Sequence, residues 1–155
     1  MIILGLDPGI ARTGFGVIDT TRTSSFIRCG CLTTPAHDLV ENRLVTIGKD
    51  LEQLITTYKP QAAMVEQIFF GTNRTTAIVT AETRGVLVYI LGLHKIPIHS
   101  LTPLQIKSRL TGHGRATKHQ IQMVIMKRLQ LDSPPQPDDA ADALAGALCL
   151  ADQVL

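Results

Sequence analysis

The stretch that decides the fold is the N-terminal Met1-Ile2-Ile3-Leu4-Gly5-Leu6-Asp7-Pro8-Gly9. A continuous apolar run that includes β-branched residues is typical of a strand buried on both faces, and Pro8-Gly9 predicts the turn that ends it. Two more strands are predicted over Thr13–Thr20 and Ser24–Thr33. The short turns between the three strands indicate an antiparallel meander. Glycines within these strands indicate bulges or close backbone approach, at Gly14, Gly16 and Gly30.

The rest of the chain predicts two further strands and five helices. The predicted strands are Gln61–Gln67 and Ile96–Leu101, and the predicted helices are Asn42–Tyr58, Thr75–His94, Pro103–Leu110, Lys118–Gln130 and Asp138–Val154. A strand, a helix and another strand make a right-handed crossover, so we expect an α/β fold with a mixed five-stranded sheet. Three antiparallel strands would be followed by parallel strands, with helices on both faces. A doubly wound nucleotide-binding fold is disfavoured, because three strands precede the first helix.

Length and composition exclude several classes of protein. A chain of 155 residues predicts one domain over residues 1–155. Its 45% hydrophobic and 18% charged residues exclude intrinsic disorder. We expect no membrane span and no signal peptide, because the longest apolar run is far shorter than roughly 18 residues and no positive segment precedes the first apolar stretch. Three cysteines then indicate reduced thiols in a cytoplasmic protein.

The charges are unevenly distributed along the chain. Residues 83–131 contain 8 basic and no acidic side chains, whereas residues 132–155 contain 5 acidic and no basic ones. A basic block beside an acidic one suggests a polyanionic partner together with a cation site. The alternative, which explains the pattern equally well, is that the basic and the acidic residues form two solvent-exposed faces that are separate by chance.

Two carboxylates stand at the ends of strongly apolar strands. Asp7 ends the first strand, and Glu66 ends the run Ala62-Ala63-Met64-Val65. A carboxylate buried at such a position is costly unless a cation or hydrogen bonds compensate its charge. If the two strands are parallel neighbours, both acids lie at the carboxyl edge of the sheet, where open α/β sheets bind ligands. The alternative is that each carboxylate caps the turn that follows it.

A third acidic element opens the last helix. Asp139 and Asp142 are three residues apart, so both project from one helix face in the first turns, where the helix dipole favours anions. Ordinary capping is the alternative, and Asp138 is the expected cap. Capping does not require the small residues Ala140 and Ala141, which allow the start of the helix to pack closely against the sheet.

Together these elements supply four candidate metal ligands, Asp7, Glu66, Asp139 and Asp142. Oxygen ligands without a His or Cys cluster suit Mg²⁺ or Mn²⁺ better than Zn²⁺. Four acids can hold two ions about 3.5–4 Å apart, the arrangement that supports in-line cleavage of phosphodiesters. Asp7, on the central strand, is the candidate to bridge both ions. With the basic block to bind phosphates, the pattern predicts a nuclease.

Four motifs occur in order over essentially the whole chain, as Gly5-Leu6-Asp7-Pro8-Gly9, Thr13-Gly14-Phe15-Gly16, Val65-Glu66-Gln67-Ile68-Phe69 and Asp139-Ala140-Ala141-Asp142-Ala143-Leu144. Together they resemble the RuvC family of Holliday junction resolvases. Arg84-Gly85-Val86 and the pair Lys107 and Lys118 around a glycine-rich loop also resemble that family.

The resemblance implies an RNase H-like fold and a homodimer that nicks two opposed strands of a four-way DNA junction symmetrically, in recombination and repair. It implies Mg²⁺ as the cofactor, two ions per subunit with Mn²⁺ as a substitute, and a branch-migration motor complex as a partner. Asp7, Glu66, Asp139 and Asp142 match the catalytic acids.

The resemblance also assigns DNA contacts. Lys107 and Lys118 match positions that contact DNA, and Phe69 matches an aromatic residue that stacks on bases at the crossover. Core packing is the alternative for Phe69. The loop residue Arg115 is a further candidate for phosphate contact. Cys29, Cys31 and Cys149 are interpreted as small core thiols.

Three other functions stay open at this point. An RNase H-like nuclease that acts on structured RNA would use the same residues. A non-catalytic junction-binding module is disfavoured, because acids that face phosphate weaken binding. An actin-like phosphotransferase would need a second lobe that 155 residues cannot supply.

Overall fold

The strand β1 (Ile2–Asp7) lies at the centre of a five-stranded sheet. It pairs antiparallel with β2 (Arg12–Asp19) and parallel with β4 (Ala62–Glu66). β3 (Ser25–Thr33) lies outside β2, and β5 (Ile98–Leu101) lies outside β4. The order β3-β2-β1-β4-β5 confirms the predicted mixed α/β sheet. The computed structural model describes residues 1–21, 24–68 and 74–154, without the side chains of residues 74–76.

Five helices cover the two faces of this sheet, and each begins and ends within a few residues of its predicted bounds. α1 and α2 pack on one face, and α3, α4 and α5 pack on the other. Their bounds are Val40–Tyr58 for α1, Arg74–Leu93 for α2, Pro103–Thr111 for α3, Lys118–Leu129 for α4 and Asp138–Val154 for α5. None of the helices within the described ranges has the length and apolarity that crossing a bilayer requires.

Alternation along β1 divides its side chains between two separate cores. Leu4 and Leu6 are buried in the core formed with α1 and α2, whereas Ile3 is buried in the core formed with α5. Because side chains alternate between the faces of a strand, Asp7 lies on the α5 side of the sheet. This face is the one on which the acidic start of α5 packs.

Glycines on β1 and β2 allow the backbone of α5 to lie directly on the sheet. A Cβ atom on Gly5 would stand 2.0 Å from the carbonyl oxygen of Ala143, and one on Gly14 would stand 2.0 Å from the carbonyl oxygen of Asp139. This confirms the expected close backbone approach. The bulge that was the alternative for these glycines is not at a glycine, because the register of β2 and β3 shifts between Val17 and Ile18.

We predict that Gly5→Ala lowers the free energy of unfolding by about 3 kcal/mol, because the added methyl group meets helix backbone that cannot rotate away. Urea unfolding followed by circular dichroism measures the change. Gly92→Ala in α2 is the matched control, because a Cβ there has nothing within 4 Å. That control should raise stability by about 0.5–1 kcal/mol. Equal stability of the Gly5→Ala variant and the wild type would contradict the packing described here.

Candidate active site

Asp7 and Glu66 are brought together by the parallel pairing of β1 and β4. The register joins Leu6 to Val65, so the next residues along the two strands are the two acids. Met64 shares the α5-side core, so alternation places Glu66 on the same face as Asp7. Neighbouring strands lie about 4.8 Å apart, and the two carboxyl groups therefore share one edge of the sheet.

The start of α5 brings Asp139 and Asp142 to the same edge. Gly14 pairs with Asp7 across β1 and β2, and the backbone of Asp139 lies directly over Gly14. Asp142 follows one helical turn later and lines a cleft together with Glu66. Four acids from three separate segments of the chain therefore converge on one end of the central strand.

Burial and mutual repulsion disfavour the charged forms of these acids. The pKa of Asp7 is raised to about 7, first by burial and then by the charges of Asp142 and Asp139. The pKa of Glu66 is raised to about 8, first by burial and then by Asp7 and Asp142, against a lowering by Lys107. The pKa of Asp142 is also raised, mainly by burial. Strongly shifted acids clustered at a sheet edge are typical of functional sites.

The donor chemistry of this edge fits a hard divalent cation. All four side chains offer carboxylate oxygens, and Oδ2 of Asp139 is buried and accepts no hydrogen bond from any described residue. Within residues 1–21, 24–68 and 74–154, no group of three or more His, Cys, Asp or Glu side chains is already arranged to coordinate one metal ion. Mg²⁺ does not need such a set, because it is bound through one or two carboxylates plus water and substrate phosphate.

Two lysines line the cleft beside the acids. The cleft has a volume of about 200 Å³, and Lys107 of α3 and Lys118 of α4 line it together with Glu66 and Asp142. Lys118 is the first residue of α4, where Thr117 caps the helix through a capping box with Gln120. The cap fixes the backbone that presents the Lys118 amine to the cleft.

Asp138 does not have the role expected of it. Its carboxylate forms an ion pair with Lys118. The backbone amides of Ala140 and Ala141, in the first turn of α5, donate to the carbonyl oxygen of Pro137. The hydrogen bond to Asp138 raises the pKa of Lys118, so this lysine stays protonated beside the acids.

The other predicted residues have mixed outcomes. Phe69 lies outside the described residues. Arg115 is exposed in the loop between α3 and α4. Cys149 is buried as expected, and Cys29 is partly buried and packs against the α5-side core. Cys31 is also only partly buried and belongs to neither core cluster, so its assignment to the core was wrong. Burial, with the nearby charge of Asp139, raises the pKa of the Cys31 thiol to about 11.

Two arginines contact the acidic residues without having been assigned a role from the sequence. Nε of Arg12 lies 3.1 Å from Oδ2 of Asp139. Arg84 donates from Nε to the carbonyl oxygen of Glu66 over 3.2 Å and from its guanidinium to Oγ of Ser100 over 2.8 Å. The resemblance had drawn attention to the segment around Arg84, but nothing in the sequence pattern pointed to Arg12.

Comparison with known proteins places this architecture among junction-processing nucleases. The family model described as "Crossover junction endodeoxyribonuclease RuvC" matches residues 3–150. The chain belongs to this family.

Individual relatives agree over nearly the full length. The chain is similar to crossover junction endodeoxyribonuclease RuvC of Synechococcus sp. (strain WH7803), with 46% identity over 149 residues and 96% of each chain covered. It is 48% identical over 150 residues to the protein of the same name from Prochlorococcus marinus (strain MIT 9313), again with 96% of each covered.

A solved structure agrees in fold. The structure of Thermus thermophilus RuvC in complex with a Holliday junction substrate matches with a TM-score of 0.91 and 27% identity, covering 96% of this chain and 92% of that chain. The predicted RNase H-like fold class is thereby confirmed.

We predict that the free energy of unfolding, measured in chelator, falls as the pH rises from about 5 to about 8. The folded state has a pKa of about 7 for Asp7 and about 8 for Glu66, whereas unfolded carboxyls titrate near pH ~4. Between these values the folded state binds more protons than the unfolded state, so raising the pH favours unfolding. Urea titrations across this range measure the effect.

Asp7→Asn should be more stable than the wild type at the alkaline end of this range and should reduce the slope. Asp132→Asn, at an exposed position, is the matched control and should follow the wild type. A wild-type stability that is level across the range would show that the acids are not destabilised in the folded protein.

Proposed function

We propose that this chain resolves four-way (Holliday) DNA junctions as a metal-dependent endonuclease that nicks two opposed strands symmetrically. The observation that carries the proposal is the convergence of Asp7, Glu66, Asp139 and Asp142 beside a lysine-lined cleft in a member of the RuvC family. The Thermus relative was solved with a Holliday junction substrate bound. An acidic cluster that faces phosphate is a disadvantage for a protein that only binds DNA, and it is a requirement for hydrolysis through divalent ions.

The four acids are the proposed ligands of Mg²⁺, two ions per subunit, with Mn²⁺ as a substitute. A divalent ion held by these carboxylates would lower the pKa of a bound water and would stabilise charge on the departing oxygen. Asp7 has other acids on both sides. Among the neighbouring charges that shift the pKa of Glu66, the charge of Asp7 has the largest effect. Asp7 is therefore the residue whose loss should affect the whole site.

Lys107 and Lys118 are the proposed contacts to the phosphate of the cleaved strand. Both line the cleft with Glu66 and Asp142, so a phosphate that enters the cleft meets positive charge and the acids together. Arg115 is proposed to contact phosphate at a greater distance from the acids, and Phe69 is proposed to stack on a base at the crossover.

A homodimer is proposed, because two opposed nicks in a two-fold junction require two sites related by a two-fold axis. Support comes from an exposed apolar surface on α1 and α2. Its most exposed side chains are Val45 (56%), Ile78 (59%), Tyr89 (65%) and Leu93 (57%). We also propose that the chain forms a single domain, that it is located in the cytoplasm and that a branch-migration motor complex is its partner.

We predict that Asp7→Asn abolishes Mg²⁺-dependent nicking of a labelled four-way junction while its affinity for the junction is retained. The amide keeps the size of the side chain and removes the charge that a cation needs. Gel assays of cleavage and of binding in parallel measure the two properties, with Asp132→Asn as the control expected to cleave like the wild type. Equal loss of binding and cleavage would assign Asp7 a structural role. If the wild type cleaves structured RNA in preference to the junction, the substrate is RNA and not DNA.

We predict that Lys107→Ala weakens junction binding and lowers its salt dependence by up to about 0.9 log units per decade, the slope expected for one phosphate contact. Fluorescence anisotropy at several salt concentrations measures the slope. Lys127→Ala is the control, because Lys127 is exposed at the end of α4 distant from Lys118. If the two variants show the same salt dependence of binding, Lys107 does not contact the DNA.

A further inference from the structure

Arg12 stands directly against one of the four acids. It opens β2, and its side chain is 58% exposed, so it can move without disturbing the core. Nε lies 3.1 Å from Oδ2 of Asp139. A guanidinium keeps its positive charge throughout the physiological pH range.

The geometry of this ion pair makes it easy to replace. Oδ2 of Asp139 is out of contact with solvent and accepts no hydrogen bond within the described part of the chain, so the guanidinium approaches without donating to it. An ion pair that lacks a directed hydrogen bond and has one exposed partner contributes little free energy. The oxygen therefore keeps an open position for a stronger ligand.

Arg12 also marks a second positively charged side of the acidic cluster. The charges of Asp139, Arg12 and Asp7 all affect the pKa of the Cys31 thiol. These groups therefore lie close together, on the side of the cluster formed by β2 and β3. Lys107 and Lys118 line the cleft at the other side, with Glu66 and Asp142. The acids thus lie between two sources of positive charge, and a DNA strand that crosses them would meet both.

We propose that Arg12 is a displaceable counter-cation of Asp139, which yields the carboxylate to a divalent cation and then binds a DNA phosphate on the side opposite Lys107 and Lys118. The proposal rests on the proposed function, since it concerns the same acids and the same substrate. A divalent ion carries twice the charge of the guanidinium and prefers carboxylate oxygen. A released guanidinium matches the paired oxygens of a phosphate group.

The first test is cation binding without DNA. Calorimetric titration of the purified protein with Mn²⁺ should give an affinity about two- to fivefold higher for Arg12→Gln than for the wild type, the range that corresponds to loss of one exposed competing ion pair. Arg28→Gln is the matched control, because Arg28 is exposed on β3 and forms no ion pair among the described residues. Urea unfolding verifies that both variants are folded.

The second test is junction binding with and without a cation. In chelator, where Asp139 holds the guanidinium, Arg12→Gln should bind the junction like Arg28→Gln. With Ca²⁺ present, Arg12→Gln should bind more weakly than that control and lose up to about 0.9 log units of salt slope. Arg12→Lys keeps the charge and should recover part of the slope. Gel analysis of the same samples verifies that the junction stays intact.

The outcomes separate the two proposals. Equal Mn²⁺ affinities for Arg12→Gln and Arg28→Gln would overturn the competition, and equal salt slopes in Ca²⁺ would overturn the phosphate contact. Failure of the wild type to nick a junction would overturn the proposed function, yet a higher Mn²⁺ affinity of Arg12→Gln would still support the role of Arg12 as a counter-cation.

Discussion

Contact between the backbone of α5 and the glycines of β1 and β2 is the constraint on which the site depends. It leaves no room for a Cβ at Gly5 or Gly14, and it holds the start of the helix over the end of the central strand. Asp139 and Asp142 are thereby held close to Asp7 and Glu66. The packing that stabilises the fold thus buries the acids and forces like charges together. The raised pKa values of Asp7 and Glu66 follow first from the burial and then from the repulsion.

Function follows from relieving that repulsion. Protons on Asp7 and Glu66 relieve it in the free protein at neutral pH. The ion pair of Arg12 with Asp139 and the positive charge of Lys118 near Asp142 relieve it in part, and divalent ions would relieve it most strongly. The cationic side chains and divalent ions that balance the carboxylates also attract nucleic acid, because cations bind phosphates. One cluster of negative charge therefore organises both the metal chemistry and the surrounding DNA interface.

The sequence predicted the parts of this site that depend on local periodicity. Alternation and strand ends placed Asp7 and Glu66 at one edge, and helical spacing placed Asp139 and Asp142 on one face. Contacts made by long side chains across distant segments were not predictable. Arg12 meets Asp139, and Lys118 meets Asp138, only because α5 packs on β2 and beside α4. Cys31 was misassigned because the apolar pattern does not show how far α5 covers β3.

Proton release on cation binding tests the central claim most directly. If Mg²⁺ or Mn²⁺ binds at the acids, it must displace the protons that Asp7 and Glu66 hold at neutral pH. Calorimetry in buffers of different ionisation enthalpy should then detect roughly one to two protons released per chain at about pH 7 and nearly none at about pH 9. Binding without proton release at neutral pH would contradict a cation site built from these carboxylates.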